Sequence, residues 1–169
     1  STGLYPMRKG ANEQGAWDLG AISHMLPGYQ PVDNPSGRKS LEIAWNASLS
    51  ANVGLNLKGV LEEAANGKVQ ALYVIGDGPN IQDTVFGDGD YDFHRWTEGL
   101  EFLIVQETFL SKLAEKADVV LPRASFAEKQ GTFTNLERRI QLLYPVVQPK
   151  NIEAKAESYT ICEIAKGMG

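Results

Sequence analysis

Three short apolar runs in the sequence are each followed by glycine, acidic or amide residues, and these positions are equipped to bind a ligand. The candidate ligand-binding residues are Gly76, Asp77, Gly78, Asn80, Gln106, Glu107, Ser125 and Glu128. Carboxylates accept hydrogen bonds from the paired N–H groups of a guanine edge or from ribose hydroxyls, and glycines let the backbone approach a ligand closely. Tight turns with solvated side chains would use the same residue types. The position of these residues in the fold therefore has to distinguish a ligand-binding site from ordinary turns.

The apolar runs themselves predict three buried strands, Ala71–Ile75, Glu101–Val105 and Asp118–Leu121. None of them alternates as a half-exposed strand does. Strand, connection, strand, helix and strand in succession is typical of an α/β fold with a parallel sheet and right-handed crossovers. Ligands of such sheets bind outside the carboxyl ends of the strands. The sequence therefore predicts that the candidate residues share one edge of the sheet.

Helical spacing and turn residues predict the elements around this sheet. The predicted helices are Leu57–Ala64, Phe93–Gly99, Phe109–Ala117 and Glu157–Met168, and Arg139–Tyr144 is predicted to pair as an antiparallel strand. Residues 1–55 are rich in Gly and Pro, which predicts a loop-rich segment with short helices near Asp18–Met25 and Arg38–Trp45. We expect this segment to join residues 56–169 in one domain, a three-layer αβα unit with a small, mainly parallel, Rossmann-like sheet.

Composition excludes several classes of protein. The 169 residues carry a net charge of −5, which argues against binding to nucleic acid or to an anionic membrane surface. No apolar run approaches the roughly 18 residues of a membrane span, so direct membrane insertion is not expected. Cys162 is the only cysteine, so neither an internal disulfide nor a thiolate-held iron–sulfur cluster can form, and with two histidines the sequence predicts no metal site.

Three longer segments carry a more specific pattern. Pro6–Gly20 contains P-M-R and N-E-Q-G-A, Ala71–Asn80 reads A-L-Y-V-I-G-D-G-P-N, and Ala117–Gln141 contains A-D-V-V-L-P, E-K-Q-G-T-F-T-N and E-R-R-I-Q. Together they resemble the molybdopterin oxidoreductase family, specifically formate dehydrogenase alpha subunits and the homologous large iron–sulfur subunit of NADH:quinone oxidoreductase (complex I). The third segment is highly specific to the family, but both branches share it, so both stay as alternatives.

The resemblance implies that the chain is a middle piece of a larger subunit. Family members are several times longer, with cysteine motifs for an iron–sulfur cluster and, in the dehydrogenases, a Cys or selenocysteine ligand to molybdenum or tungsten. In the family such a segment forms one αβα domain that cradles half of a bis-molybdopterin guanine dinucleotide cofactor. The positions that match family contacts to guanine, ribose and phosphate are Gly76, Asp77, Gly78, Gln106, Glu107 and Ser125. They lie at the edge that the strand ends predict.

The chain matches the formate dehydrogenase pattern at Arg8 but departs from it at Gly10 and Gly78. Arg8 matches an arginine that these enzymes place near the metal, where a guanidinium could hold the carboxylate of formate in a bidentate pair. Two positions later the enzymes commonly have Gln, whereas this chain has Gly10, which favours the branch of complex I or another electron-transfer relative. Arg8 could equally be a surface cation. Gly78 stands where relatives usually have an acidic residue or Asn, so one side-chain contact to the nucleotide would be missing.

We therefore expect a molybdopterin guanine dinucleotide-binding domain of an electron-transferring oxidoreductase, inactive on its own. Its expected partners are the remaining domains of the parent subunit and other electron-transfer subunits. The alternative is a structural module of an NADH:quinone oxidoreductase subunit that keeps the fold but binds no pterin. The expected location is the cytoplasm, including the cytoplasmic face of a membrane complex.

Overall fold

The computed structural model describes residues 10–76, 93–148 and 153–169. In chain order its elements are α1 (Glu13–Asp18), β1 (Met25–Leu26), β2 (Gln30–Pro31), α2 (Pro35–Trp45), α3 (Leu57–Ala65), β3 (Ala71–Ile75), α4 (Phe93–Glu98), β4 (Phe102–Glu107), a short 3-10 helix (Ala114–Lys116), β5 (Val119–Pro122), β6 (Gly131–Thr134), β7 (Ile140–Leu143) and α5 (Glu157–Met168). Within the described ranges, no helix is both long enough and apolar enough to cross a membrane.

The chain divides into two compact units. The first comprises the residues up to Gly59 together with Thr132–Leu142, and the second comprises Val60–Gly131 together with Leu143–Gly169. The backbone therefore enters the second unit, returns to the first, and then enters the second again.

A three-stranded parallel sheet organises the second unit. Its order is β3-β4-β5, and Val74 pairs with Val105, which pairs in turn with Val120. The α/β class and the parallel sheet predicted from the apolar runs are confirmed. β4 differs from the predicted strand at both ends: it begins at Phe102 and continues to Glu107, so that Gln106 and Glu107 are the last residues of the strand and not the first of the loop.

One face of this sheet carries the apolar core. Because side chains alternate along a strand, Leu103 and Val105 of β4 point to the same face. They pack with helix residues and with the segment before β5, and the buried cluster is Leu61, Ala64, Trp96, Leu103, Val105, Leu113 and Ala114. Leu72 and Val74 of β3 are half-buried against the same cluster. Trp96 of α4, which precedes β4, and Leu113 and Ala114, which follow it, all belong to this cluster.

Gly99 lets two helix ends approach each other within this core. A Cβ atom at position 99 would lie 2.0 Å from the carbonyl oxygen of Ala64. No side chain fits at that distance, so the contact between the end of α3 and the end of α4 requires glycine.

The other face of the sheet is linked to α5. The side chain of Gln106 points away from the apolar core, since it neighbours Val105 in the strand. Its Nε2 donates to Oγ1 of Thr160 on α5 at 2.9 Å. Helices thus lie on both sides of the sheet, in the layered arrangement that the sequence predicts. No residue of α5 is fully buried.

The predicted helix over Phe109–Ala117 is wrong. The structure has only a 3-10 helix at Ala114–Lys116, and Phe109 and Leu110 are largely exposed. Polar contacts explain the difference: the backbone N–H of Ser111 donates to the Glu107 carboxylate at 2.8 Å, and the N–H of Ala114 donates to the Ser111 hydroxyl at 3.2 Å. These side chains hold the backbone in a loop that still delivers Ala114 to the core.

The first unit contains short elements, in keeping with its Gly and Pro content. The helix predicted near Asp18–Met25 is wrong in position, because α1 ends at Asp18. Gly20 follows with φ +82, in the left-handed region where glycine carries no Cβ penalty, and it packs directly on Pro27. The predicted helix near Arg38–Trp45 starts earlier, at Pro35, because the Asn34 side chain accepts from the N–H of Ser36 and caps it.

Strand pairing in the first unit involves both ends of its sequence. β6 and β7 form a two-stranded sheet, so the strand predicted over Arg139–Tyr144 is present as Ile140–Leu143. Asn12 binds the outer side of β6, where its Nδ2 donates to the carbonyl of Thr132 and its Oδ1 accepts from the N–H of Thr134, both at 2.9 Å. This one side chain joins the two stretches of chain that make up the unit.

The sheet assignment can be tested with Leu103→Ala. Leu103 is only 2% exposed, so truncation leaves a cavity and should lower the free energy of unfolding by about 2–4 kcal/mol in urea denaturation. Leu110→Ala is the matched control, since Leu110 is 72% exposed, and it should change stability by less than about 0.5 kcal/mol. Equal effects of the two substitutions would contradict the assignment.

Candidate functional site

The carboxyl ends of the three parallel strands meet at one edge of the second unit. The N–H of Gly76, just after β3, donates to the carbonyl of Gln106 at 3.1 Å. The N–H of Arg123, just after β5, donates to the carbonyl of Glu107 at 3.1 Å. The structure thus brings together Gly76, Gln106 and Glu107, and the chain that leaves β5 carries Ser125 and Glu128.

Gln106 is fully buried and its side-chain amide is hydrogen-bonded at both ends. The hydroxyl of Tyr73 on β3 donates to Oε1 at 2.5 Å, and Nε2 donates to Thr160 on α5. This chain of hydrogen bonds crosses from the sheet to the helix. Burial, together with the charge of Glu157, raises the pKa of Tyr73, so the phenol stays protonated and remains a donor.

Glu107 is also buried, but only one of its two carboxylate oxygens accepts a hydrogen bond from the described residues. One oxygen, Oε1, accepts from the N–H of Ser111. The other, Oε2, is buried and accepts no hydrogen bond from the residues that the structure describes. A buried acceptor without a donor costs free energy, and such groups in folded proteins call for a specific explanation. Glu107 therefore offers a carboxylate oxygen that a donor group could satisfy.

Ser125 and Glu128 bind each other in a tight turn. The N–H of Ser125 donates to the Glu128 carboxylate at 2.9 Å, and the N–H of Glu128 donates to the Ser125 carbonyl at 3.1 Å. The arrangement resembles a capping box, in which a carboxylate three residues on satisfies a backbone donor. It holds the turn after β5 in a fixed shape and uses one oxygen of Glu128.

Sequence reasoning missed an ion cluster at the same edge. Arg123 pairs through Nε with Glu157, and Lys129 pairs with the other oxygen of the same carboxylate. Arg123 Nη1 also donates to the carbonyl of Gly76 at 2.6 Å. The residues lie up to 34 positions apart, and no spacing pattern links them. Only the placement of α5 could have revealed the cluster.

The cluster sets the charge state of Glu157. Partial burial by itself would raise the pKa of this carboxyl, but the hydrogen bond from Lys129 and the positive charge of Arg123 outweigh it, and the pKa lies below its ordinary value. Glu157 is therefore a carboxylate at neutral pH and keeps both cations in place.

Other predicted site residues fall outside the described part of the chain. They are Arg8, Asp77, Gly78 and Asn80. Among residues that the structure does describe, no three His, Cys, Asp or Glu side chains converge as metal ligands. At the described edge the N–H groups of Gly76, Arg123 and Ser125 are already hydrogen-bonded within the protein, and Oε2 of Glu107 is a buried acceptor that a donor of a polar ligand could satisfy.

Comparison with protein families gives one clear match. The sequence pattern of the molybdopterin oxidoreductase family fits residues 7–167. A solved structure of the acetylene hydratase from Pelobacter acetylenicus superposes with a TM-score of 0.51 at 22% identity, covering 78% of this chain and 19% of that one. At that identity the superposition supports a shared fold.

Several curated proteins resemble nearly the whole chain. The probable oxidoreductase YjgC of Bacillus subtilis is 40% identical over 99% of this chain, which is 16% of its own length. The F420-dependent formate dehydrogenase subunit alpha of Methanocaldococcus jannaschii is 39% identical over 99% of this chain and 24% of its own. Formate dehydrogenase H of Escherichia coli is 38% identical over 99% of this chain and 23% of its own length. The chain thus spans about a sixth to a quarter of the length of these relatives.

The charge state of Glu157 predicts a pH effect. Its folded-state pKa lies below the unfolded value, so the unfolded chain binds more protons in acid. The stabilisation is complete at neutral pH and declines as the pH falls through the lowered pKa. Glu157→Gln should therefore melt at a lower temperature at neutral pH and lose less stability on acidification to about pH 3.

Thermal midpoints across this range provide the measurement. Glu163→Gln is the matched control, because Glu163 lies on the same helix and pairs with Lys166 in an exposed position. It should keep the pH dependence of the wild type. If Glu157→Gln also kept that dependence, the ion cluster would have no role in the acid response.

Proposed function

The chain belongs to the molybdopterin oxidoreductase family, and on that basis we propose that it is a cofactor-binding module of a formate dehydrogenase alpha-type subunit. In this proposal the carboxyl edge of the β3-β4-β5 sheet holds the guanine dinucleotide portion of a molybdopterin cofactor. The observation that carries it is the buried Oε2 of Glu107, which accepts no hydrogen bond within the described part of the chain.

Glu107 fits a guanine base. The Watson–Crick edge of guanine presents an N1–H and an N2 amino donor side by side, and a carboxylate is acceptor-only. Oε1 is already used by Ser111, so Oε2 is the atom that would receive a ligand donor. A charge-assisted hydrogen bond there contributes about 1.5–3 kcal/mol and removes the cost of a buried unmatched acceptor.

The remaining edge residues have complementary roles in this proposal. Gly76 begins the segment 76–80, in which Asp77 and Asn80 would contact the ribose and phosphates and Gly78 would let the backbone approach. The turn held by Ser125 and Glu128 would border the nucleotide on the β5 side. Gln106 would act through the fold, since both ends of its amide are bonded to Tyr73 and Thr160.

The parent protein would supply the redox chemistry. When bound, the molybdenum or tungsten pterin provides the centre that exchanges electrons with the substrate. This chain's own residues bind and orient its nucleotide portion, and Arg8 would hold the carboxylate of formate. Further domains of the subunit and other electron-transfer subunits with iron–sulfur centres are the proposed partners, in the cytoplasm.

A second candidate is a module that keeps the fold without a pterin, as in a complex I subunit. The amide of Gln106 favours it, because its Oε1 and Nε2 are both already hydrogen-bonded within the protein, to Tyr73 and Thr160. Gly10, which replaces the Gln common in formate dehydrogenases, favours it as well. Nucleotide binding separates the two candidates.

Titration of the 15N-labelled chain with GDP tests the site. With only half of the cofactor cradle present, GDP should bind with a Kd of about 1 mM, equivalent to about −4 kcal/mol. The amide resonances of Gly76, Glu107 and Ser125 should move. ADP should bind more weakly, since adenine presents an acceptor where guanine has N1–H.

Substitution of Glu107 gives the matched comparison. Glu107→Gln keeps the size of the side chain but replaces a charged acceptor, and it should weaken GDP binding by about tenfold while leaving ADP binding unchanged. Glu163→Gln on the exposed face of α5 serves as the control and should bind GDP as the wild type does. No binding of GDP to the wild type would favour the second candidate.

The chain alone should show no enzymatic activity. It contains one cysteine, exposed in α5, and no cluster cysteines or metal-ligating selenocysteine, so electrons would have neither entry nor exit. Formate- or NADH-dependent reduction of a dye by the purified chain should equal that of a heat-inactivated control. Activity well above the control would contradict the proposal that this is a module of a larger enzyme.

A further inference from the structure

Arg123 contacts the ends of both other strands of the sheet. Its backbone N–H donates to the carbonyl of Glu107 at the end of β4. Its guanidinium Nη1 reaches across to donate to the carbonyl of Gly76, after the end of β3, at 2.6 Å. A single residue following β5 thus binds the two backbone carbonyls at which β3 and β4 end.

Glu157 holds the guanidinium in this orientation. It pairs with Arg123 Nε, while Lys129 pairs with its second oxygen, and the three side chains are only 17–20% exposed. The backbone next to this cluster is also fixed: the N–H of Ala124 donates to the carbonyl of Lys155 at 3.0 Å, and the N–H of Lys155 donates to that of Pro122 at 3.2 Å. The start of α5 is therefore attached beside Arg123.

The planar fork of arginine suits this double contact. Nε binds the carboxylate while Nη1 binds the Gly76 carbonyl, so two nitrogens of one rigid plane serve the two acceptors, whereas a lysine would have to reach both with one nitrogen on a flexible stem. The guanidinium thereby links the start of α5 to the end of β3.

We propose that Arg123, oriented by Glu157, is a positioning residue that fixes the Gly76 peptide and so sets the position at which the chain leaves β3 at the proposed nucleotide-binding edge. The link to nucleotide rests on the proposed function, whereas the link to Gly76 stands on the geometry alone. Through it, α5 becomes part of the support of the binding edge.

The test compares Arg123→Met, Arg123→Lys and Glu157→Gln in the 169-residue chain, with Lys166→Met as the control on the exposed side of α5. Hydrogen exchange of the Gly76 amide, which is bonded to Gln106, should become about tenfold faster or more in all three variants. The Leu103 amide, bonded to Asp118 near the start of β4, should exchange as in the wild type. The affinity for GDP should fall by a similar factor.

Faster exchange at Gly76 alone, with weaker GDP binding, supports the proposal. Unchanged exchange at Gly76, or a uniform acceleration that includes Leu103, overturns it, because the cluster would then only stabilise the unit. Full rescue by Arg123→Lys would also overturn it, since charge would suffice without the fork. If Arg123→Met does not fold, the exchange rates at Gly76 in Arg123→Lys and Glu157→Gln test the proposal. Wild-type chain that binds no GDP would overturn the proposed function, and exchange at Gly76 would still decide whether Arg123 positions it.

Discussion

The central strand β4 has parallel neighbours on both sides, and this pairing constrains everything else in the second unit. Both of its backbone edges are occupied, so its carboxyl end can lie only beside those of β3 and β5. Its side chains then have to serve two different faces. Leu103 and Val105 supply the apolar core, while Gln106 faces α5 with a polar group that must be satisfied.

Polar contacts, more than apolar burial, attach α5 to the sheet. Gln106 binds Thr160 and Arg123 binds Glu157, whereas no residue of the helix is fully buried. Such buried or half-buried polar links are specific, because each has only one arrangement that satisfies its donors and acceptors. These contacts depend on one another, because several of them share one side chain. Glu157 pairs with two cations, so the loss of its charge would remove the ion-pair partner that Arg123 and Lys129 share.

The sequence was informative where one physical signal dominated. Continuous apolar runs predicted β3, β4 and β5, and the common edge of parallel strands followed from them. Periodicity misled at Phe109–Ala117, because Glu107 and Ser111 bind the loop backbone and override a helical stripe. The Arg123–Glu157 pair could not be predicted, since it depends on how α5 docks. Asp77, Gly78, Asn80 and Arg8 lie outside the described residues, so their roles stay predictions.

The alternating path of the chain has a consequence for biosynthesis. A ribosome delivers Asn12 long before Thr132 and Thr134, the backbone groups that its side chain binds, and the first unit draws on residues as late as Leu142. The first unit therefore cannot finish folding before most of the second has been synthesised. Multidomain chains commonly fold one unit at a time during synthesis. The first unit of this chain cannot fold completely in that way, because it includes Thr132–Leu142. The hydrogen bonds from Asn12 to Thr132 and Thr134 can form only after β6 has been synthesised.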